Sequence, residues 1–112
     1  MPKIIYDNRF LPPKGFSGIA LYPYIFIRAN KVSLYLINHE KIHYIQQKEL
    51  YSIGFYVWYI LEYLFRLVQY RDLDRAYRNI SFEREAYSNE RDLTYLKKRL
   101  RFSFLKYIKV VS

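Results

Sequence analysis

Residues 19–28 (IALYPYIFIR) are a run of β-branched and aromatic side chains that predicts a β-strand or hairpin near residues 19–29. Pro23 has no N–H for a sheet ladder, so it sets this strand at a sheet edge or divides it. Residues 1–18, broken by Pro2, Pro12, Pro13, Gly15 and Gly18, read as an irregular N-terminal arm. Ser33 can cap a helix from Leu34 to about Leu50. Ser52 to Gly54 interrupts it, with Gly54 as terminator. A second apolar helix follows from about Phe55 to Tyr70. Arg71–Arg75 reads as a connection, and Asn79 or Ser81 can cap a third helix running to about Asn89. Residues 92–112 form a basic, aromatic helix or helical tail. These elements describe one mainly α (α+β) domain, with three to four helices and a short strand or hairpin.

The uncharged run Leu50–Leu61 is shorter than the roughly 20 apolar residues that cross a bilayer. Glu62 and Arg66 stand four apart, as an intrahelical ion pair would. The second helix is therefore expected in the core, with an interfacial position at a membrane as the alternative. The 112 residues suffice for one domain. No cysteine is present, which excludes disulfides, thiolate metal sites and a cysteine nucleophile. Met1–Lys14 has no apolar signal-peptide core, which points to a cytoplasmic chain or one peripheral at the inner membrane face.

Within the first helix lies Asn38-His39-Glu40-Lys41-Ile42-His43. Side chains four apart on a helix share one face, so His39 and His43 can bind one metal ion. Glu40 projects beside that metal, where a carboxylate can take a proton from a bound water. The chain has only two histidines. Their spacing of four with Glu after the first is a coincidence on the order of one in a thousand.

A third ligand is expected in Ile80–Tyr87, where Glu83 and Glu85 compete. On a helix Glu83 shares a face with Ile80, Ala86 and Tyr87, and Glu85 shares a more polar one with Ser81, Phe82 and Ser88. Glu83 is favoured and Glu85 is the alternative. The site closes only if the chain reverses near Gly54. The first helix rises roughly 18 Å after His39 and the second roughly 24 Å. A single straight helix would carry Glu83 far from the histidines.

HExxH with the later Glu83-Arg84-Glu85-Ala86 resembles the gluzincin arrangement of HExxH metallopeptidases. The run HExxHxxQQ from His39 to Gln47 is similar to small, poorly characterised bacterial zincin-like families, over roughly residues 20–90. The resemblance implies zinc held by His39, His43 and Glu83, and Glu40 as general base in peptide hydrolysis. The chain departs from the family at Lys41, usually uncharged there, and at Tyr87, where many members carry Asp. Tyr87 and Glu90 are the candidates to support the histidines. Tyr24–Arg28 is the candidate sheet edge for an extended peptide substrate.

Tyr44, Tyr51, Tyr56, Tyr59 and Tyr63 include candidate oxyanion-stabilising phenols, though as a class such tyrosines and Trp58 pack cores. Gln46 and Gln47 are expected to bond neighbouring elements. The net charge of +9 favours anionic partners. The tail Lys97–Tyr107 interleaves basic and aromatic residues, a pattern suited to an anionic membrane surface and, second to it, nucleic acid. Three functions follow: a zinc-dependent metallohydrolase of the peptidase type acting on peptide or protein; a non-catalytic zincin-like domain acting through protein or membrane contacts; and a basic surface-binding module.

Overall fold

The hydroxyl of Ser33 accepts the N–H of Leu36 at 3.0 Å and starts the central helix, α1, Leu34–Glu49. Most of the residues that α1 buries are polar: Asn38, His39, Glu40, His43, Gln46 and Gln47, beside Ile42 and Tyr44. No apolar stripe of helical period marks its inner face. The computed structural model describes residues 2–108 and is mainly α, with a small sheet on one side of α1.

The sheet has three strands, β1 Lys3–Tyr6, β2 Gly18–Leu21 and β3 Tyr24–Ile27, in the order β1-β3-β2. Tyr22 and Pro23 form the turn of an antiparallel β2–β3 hairpin, so Pro23 divides the expected strand. β1 pairs parallel to β3, with Lys3 opposite Tyr24 and Tyr6 opposite Ile27. Two expectations change here. The N-terminal arm contributes a strand, because Lys-Ile-Ile-Tyr can pair its backbone along β3 and pack Ile4 on the sheet core. And Tyr24–Arg28 is no sheet edge, because β3 lies between two partners.

The chain reverses after α1 through Tyr51 (φ 56°) and Ser52 (φ 61°), with Ser52 N–H donating to Gln47 C=O at 2.7 Å. Gly54 is not the break; it lies inside α2, Ile53–Tyr70. Arg71, in a left-handed conformation, closes α2 by donating to Leu67 C=O at 2.7 Å. The segment read as a connection contains a helix, α3, Leu73–Arg78. Asp72 caps it by accepting Arg75 N–H at 3.0 Å, and Asp74 adds a negative charge to its first turn.

Neither Asn79 nor Ser81 caps α4, Ser81–Asn89. Glu62 of α2 does so from outside, accepting the Ser81 N–H at 2.7 Å and its hydroxyl at 2.6 Å. A carboxylate there meets the positive end of the helix. Glu62 also pairs with Arg66 at 3.2 Å, four residues on.

The basic tail is not one helix. α5, Tyr95–Lys98, is separated from a 3-10 turn at Ser103–Tyr107. Residues 109–112 of the expected tail, and Met1 of the arm, lie outside the described residues. Phe104 is 1% exposed and packs on Phe82 and Trp58, which fastens the tail and contributes about 2 kcal/mol. One core joins the sheet to α1 through Ala20, Ile25, Ile27 and Tyr44. The other joins α2, α4 and the tail through Phe55, Ile80, Phe82 and Phe104. The polar face of α1 lies between the two.

Candidate metal centre

His39 and His43 stand one turn apart on α1, their Nε2 atoms 3.2 Å from each other. α4 brings Glu83 against them: its Oε1 lies 3.0 Å from His43 Nε2 and 3.4 Å from His39 Nε2. Zinc bonds of about 2.0–2.1 Å in tetrahedral array space their ligand atoms about 3.3 Å apart. The triangle formed by the two imidazoles and the carboxylate has that size, so these residues fit a zinc ion. They are the one cluster of His, Asp and Glu among the described residues with ligand atoms all within 4.8 Å of one another.

Each of the three side chains is held from behind. Gln46 Nε2 donates to Phe82 C=O at 3.1 Å and to Glu85 Oε1 at 3.0 Å. Its amide oxygen therefore faces His43 Nδ1, 2.8 Å away, and can only accept there. The proton of a neutral His43 thus sits on Nδ1, leaving the Nε2 lone pair directed at Glu83 and His39. Glu90 plays the same part for His39, with Oε1 2.8 Å from Nδ1. Asn38 anchors the Glu90 segment by donating to the carbonyls of Asn89, Glu90 and Asp92 at 3.2, 2.8 and 3.1 Å. Tyr59 of α2 donates to Glu83 Oε2 at 2.8 Å, leaving Oε1 for the histidines. Tyr87 makes no hydrogen bond to a histidine; its ring packs edge-on against His39 at 4.6 Å.

Of the two candidate glutamates, Glu83 stands with the histidines and Glu85 does not. Glu85 is fully buried and bonds Arg99, Tyr95 and Gln46. Arg99 also reaches Glu49, at 2.9 and 3.1 Å. A chain of polar contacts so runs from His43 through Gln46 and Glu85 to the tail.

Glu40 is buried beside the triangle without joining it. Burial raises its pKa, the charges of His43 and His39 oppose this, and the Ala20 N–H that bonds its carboxylate opposes it too. Burial disfavours a charged His43, but the neighbouring Glu83 carboxylate outweighs that and raises its pKa to about 9. Burial would likewise raise Glu83, yet the two histidines hold it far below the usual carboxylate range.

The signs fix a pH dependence. Without metal, the His43–Glu83 attraction is fully present below the ordinary histidine pKa of 6.5 and is lost as pH rises through about 9. A zinc ion held there would have to displace that proton. Its apparent affinity is expected to rise about tenfold per pH unit and to level off near pH 9. Competition titrations against a chelator between pH 6.5 and 9.5 measure this, and a flat profile would contradict a ligand role for His43.

Two hollows meet at the cluster. One, of about 780 Å³, is lined by Glu40, His39, Tyr77, Tyr87 and Arg91. The other, of about 320 Å³ and more apolar, is lined by Phe55, Tyr56, Ala20, His43 and Glu83. Glu40, His39, Tyr59 and Tyr77 face both. The Tyr77 hydroxyl shares a hydrogen bond with Tyr87, and burial together with Glu83 raises its pKa, so it stays protonated. Tyr77 is not among the residues expected at the site, because it lies on α3, whose only signals in the sequence are the cap Asp72 and the first-turn Asp74.

The strand beside the site is β2. Its Ala20 N–H bonds Glu40, its Ala20 C=O accepts Gln47 Nε2 at 2.7 Å, and the Tyr22 N–H donates to Gln47 Oε1 at 2.7 Å. Gly18 packs on Glu40 so closely that a Cβ there would stand 3.4 Å from Glu40 Cγ. Compared with protein-family models, curated proteins and solved structures, the chain matches none.

Proposed function

We propose that this chain is a zinc-dependent hydrolase of peptide-like amides, related in plan to the gluzincins, with zinc held by His39, His43 and Glu83. The observation that carries the reading is the 3.0–3.4 Å triangle of ligand atoms with a second acid, Glu40, beside it and open to the hollows. When bound, zinc supplies a Lewis acid that acidifies water and polarises a carbonyl. Glu40 is the general base: its raised pKa brings it nearer neutral pH, where proton transfer to a carboxylate is most effective. Tyr77 is a protonated phenol on the wall of both hollows and can donate to an oxygen that gains charge. Tyr59 keeps Glu83 oriented.

A second reading, zinc as a structural staple without turnover, is favoured by one observation. The outer edge of β2 at Ala20 is already taken by Glu40 and Gln47, which leaves an extended substrate little backbone to pair with. The two are separated by loading the protein with zinc, measuring metal by elemental mass spectrometry, and offering a mixed peptide library. About one zinc per chain and new peptide termini are expected, with both lost in His43→Ala. Bound zinc with every peptide left intact would sink the hydrolase and leave the staple.

A further inference from the structure

α2 turns the wrong way for a helix of a water-soluble domain. Ile53, Val57, Ile60, Leu61, Leu64 and Val68 are between 52% and 77% exposed, and their spacing sets them on one stripe. Phe65 widens it at 49%. The 18 residues of α2 make this stripe about 27 Å long. The two charged residues of α2, Glu62 and Arg66, point inward, with side chains 8% and 1% exposed, so the outer face carries no charge. The helix is not long and apolar enough to cross a bilayer. A contiguous apolar face of this kind marks a contact surface.

We infer that α2 lies flat on an anionic lipid surface, its outer face among the acyl chains. Charge decides the occupant. Five of the ten carboxylates (Glu40, Glu49, Glu62, Glu83 and Glu85) are turned inward. Arg66 and Arg99 are turned inward too, but most of the 19 lysines and arginines stay outside. The solvent surface is thus strongly basic. A second copy would bring another strongly positive chain up to the cations that flank the uncharged stripe, which is repulsive. Nucleic acid would set phosphates against a face that offers them nothing. A lipid surface suits both features, apolar depth for the stripe and anionic headgroups for the cations around it. Lys48 is exposed on the last turn of α1, just before the reversal into α2, Arg71 is exposed at the C-terminal end of α2, and Lys106 is exposed two residues from Ile108, which shares a groove with Val57, Leu61 and Phe65. Tyr51, 89% exposed, stands at the N-terminal end, where a tyrosine suits the headgroup level.

The test is co-sedimentation of the full chain with vesicles of 30% phosphatidylglycerol in phosphatidylcholine, against vesicles of phosphatidylcholine alone. Trp58, the single tryptophan and part of the same groove, gives a second readout through its emission. Binding to the anionic vesicles is expected, with a blue shift of Trp58 and marked weakening on neutral vesicles and at 0.5 M salt. Leu61→Glu with Val68→Glu changes two side chains 62% and 77% exposed, so its melting temperature should stay near that of the parent, and its partitioning should fall at least tenfold. The inference is overturned if the parent does not bind, or if the double variant binds as well as the parent. It is also overturned if the parent forms a lipid-free dimer in analytical ultracentrifugation that the double variant abolishes, which would assign the face to a second copy. None of these outcomes depends on zinc or on turnover.

Discussion

Replacing Glu40 with glutamine is expected to lower peptide hydrolysis by the zinc-loaded protein about a thousandfold while zinc stays near one per chain. The change removes the proton acceptor and keeps the size of the side chain. Nothing in the ligand triangle is touched, because Glu40 stands beside His39, His43 and Glu83 and not among them. The amide can still accept the Ala20 N–H, so the seat of β2 on α1 should survive. Glu83→Gln is the contrasting variant. It removes a ligand charge from between two histidines, and metal and turnover should then disappear together. Steady-state rates with metal content measured on the same samples separate the two. Full activity in Glu40→Gln would remove Glu40 from the mechanism.

Arg99→Met is expected to cost 3–5 kcal/mol of stability (about), although Arg99 lies some distance along the chain from every proposed ligand. Its side chain is 3% exposed and lies between two carboxylates, Glu85 at 0% and Glu49 at 8%. Taking away the cation leaves two negative groups out of water with neutral donors but no opposing charge. The Phe102 N–H bonded to Glu49 at 2.8 Å and the Tyr95 hydroxyl bonded to Glu85 at 2.6 Å depend on the same cluster. Urea denaturation at pH 7 measures the loss. Adding Glu49→Gln and Glu85→Gln should recover much of it by removing the stranded charge. A loss under about 1 kcal/mol would mean that the cluster behaves like an exposed ion pair.

The mainly α class and the meeting of His39, His43 and Glu83 were legible in the sequence, and the course of the chain around them was less so. His39 and His43 announce themselves because helical spacing alone puts them on one face. Burial does not separate the two glutamates, since Glu85 is 0% and Glu83 4% exposed; Glu83 is the one that α4 sets against His43. The reversal near residue 52 was expected because the site could not close without it. Its chemistry was misplaced: Tyr51 and Ser52 take the positive φ angles, while Gly54 sits in the helix. β1 could not be read because Lys3–Tyr6 stands alone in a Pro- and Gly-broken arm, whereas the equally short β2 and β3 share one continuous β-branched and aromatic run. α1 shows little hydrophobic pattern because its buried face is polar. The outward face of α2 was taken for core, since periodicity reports an apolar stripe but not which way it looks.

That polar face of α1 also constrains how the chain can assemble. Gln47 is satisfied by the hairpin around residues 20–22, the Gln46 amide N–H groups by α4, and Asn38 by carbonyls more than fifty positions away. With one of these partners missing, amides and imidazoles would be stranded in a closing interior. A half-built intermediate in which α1 has docked on the sheet alone is therefore costly. Assembly should be all-or-none, with the two ends of the chain arriving at the same helix together.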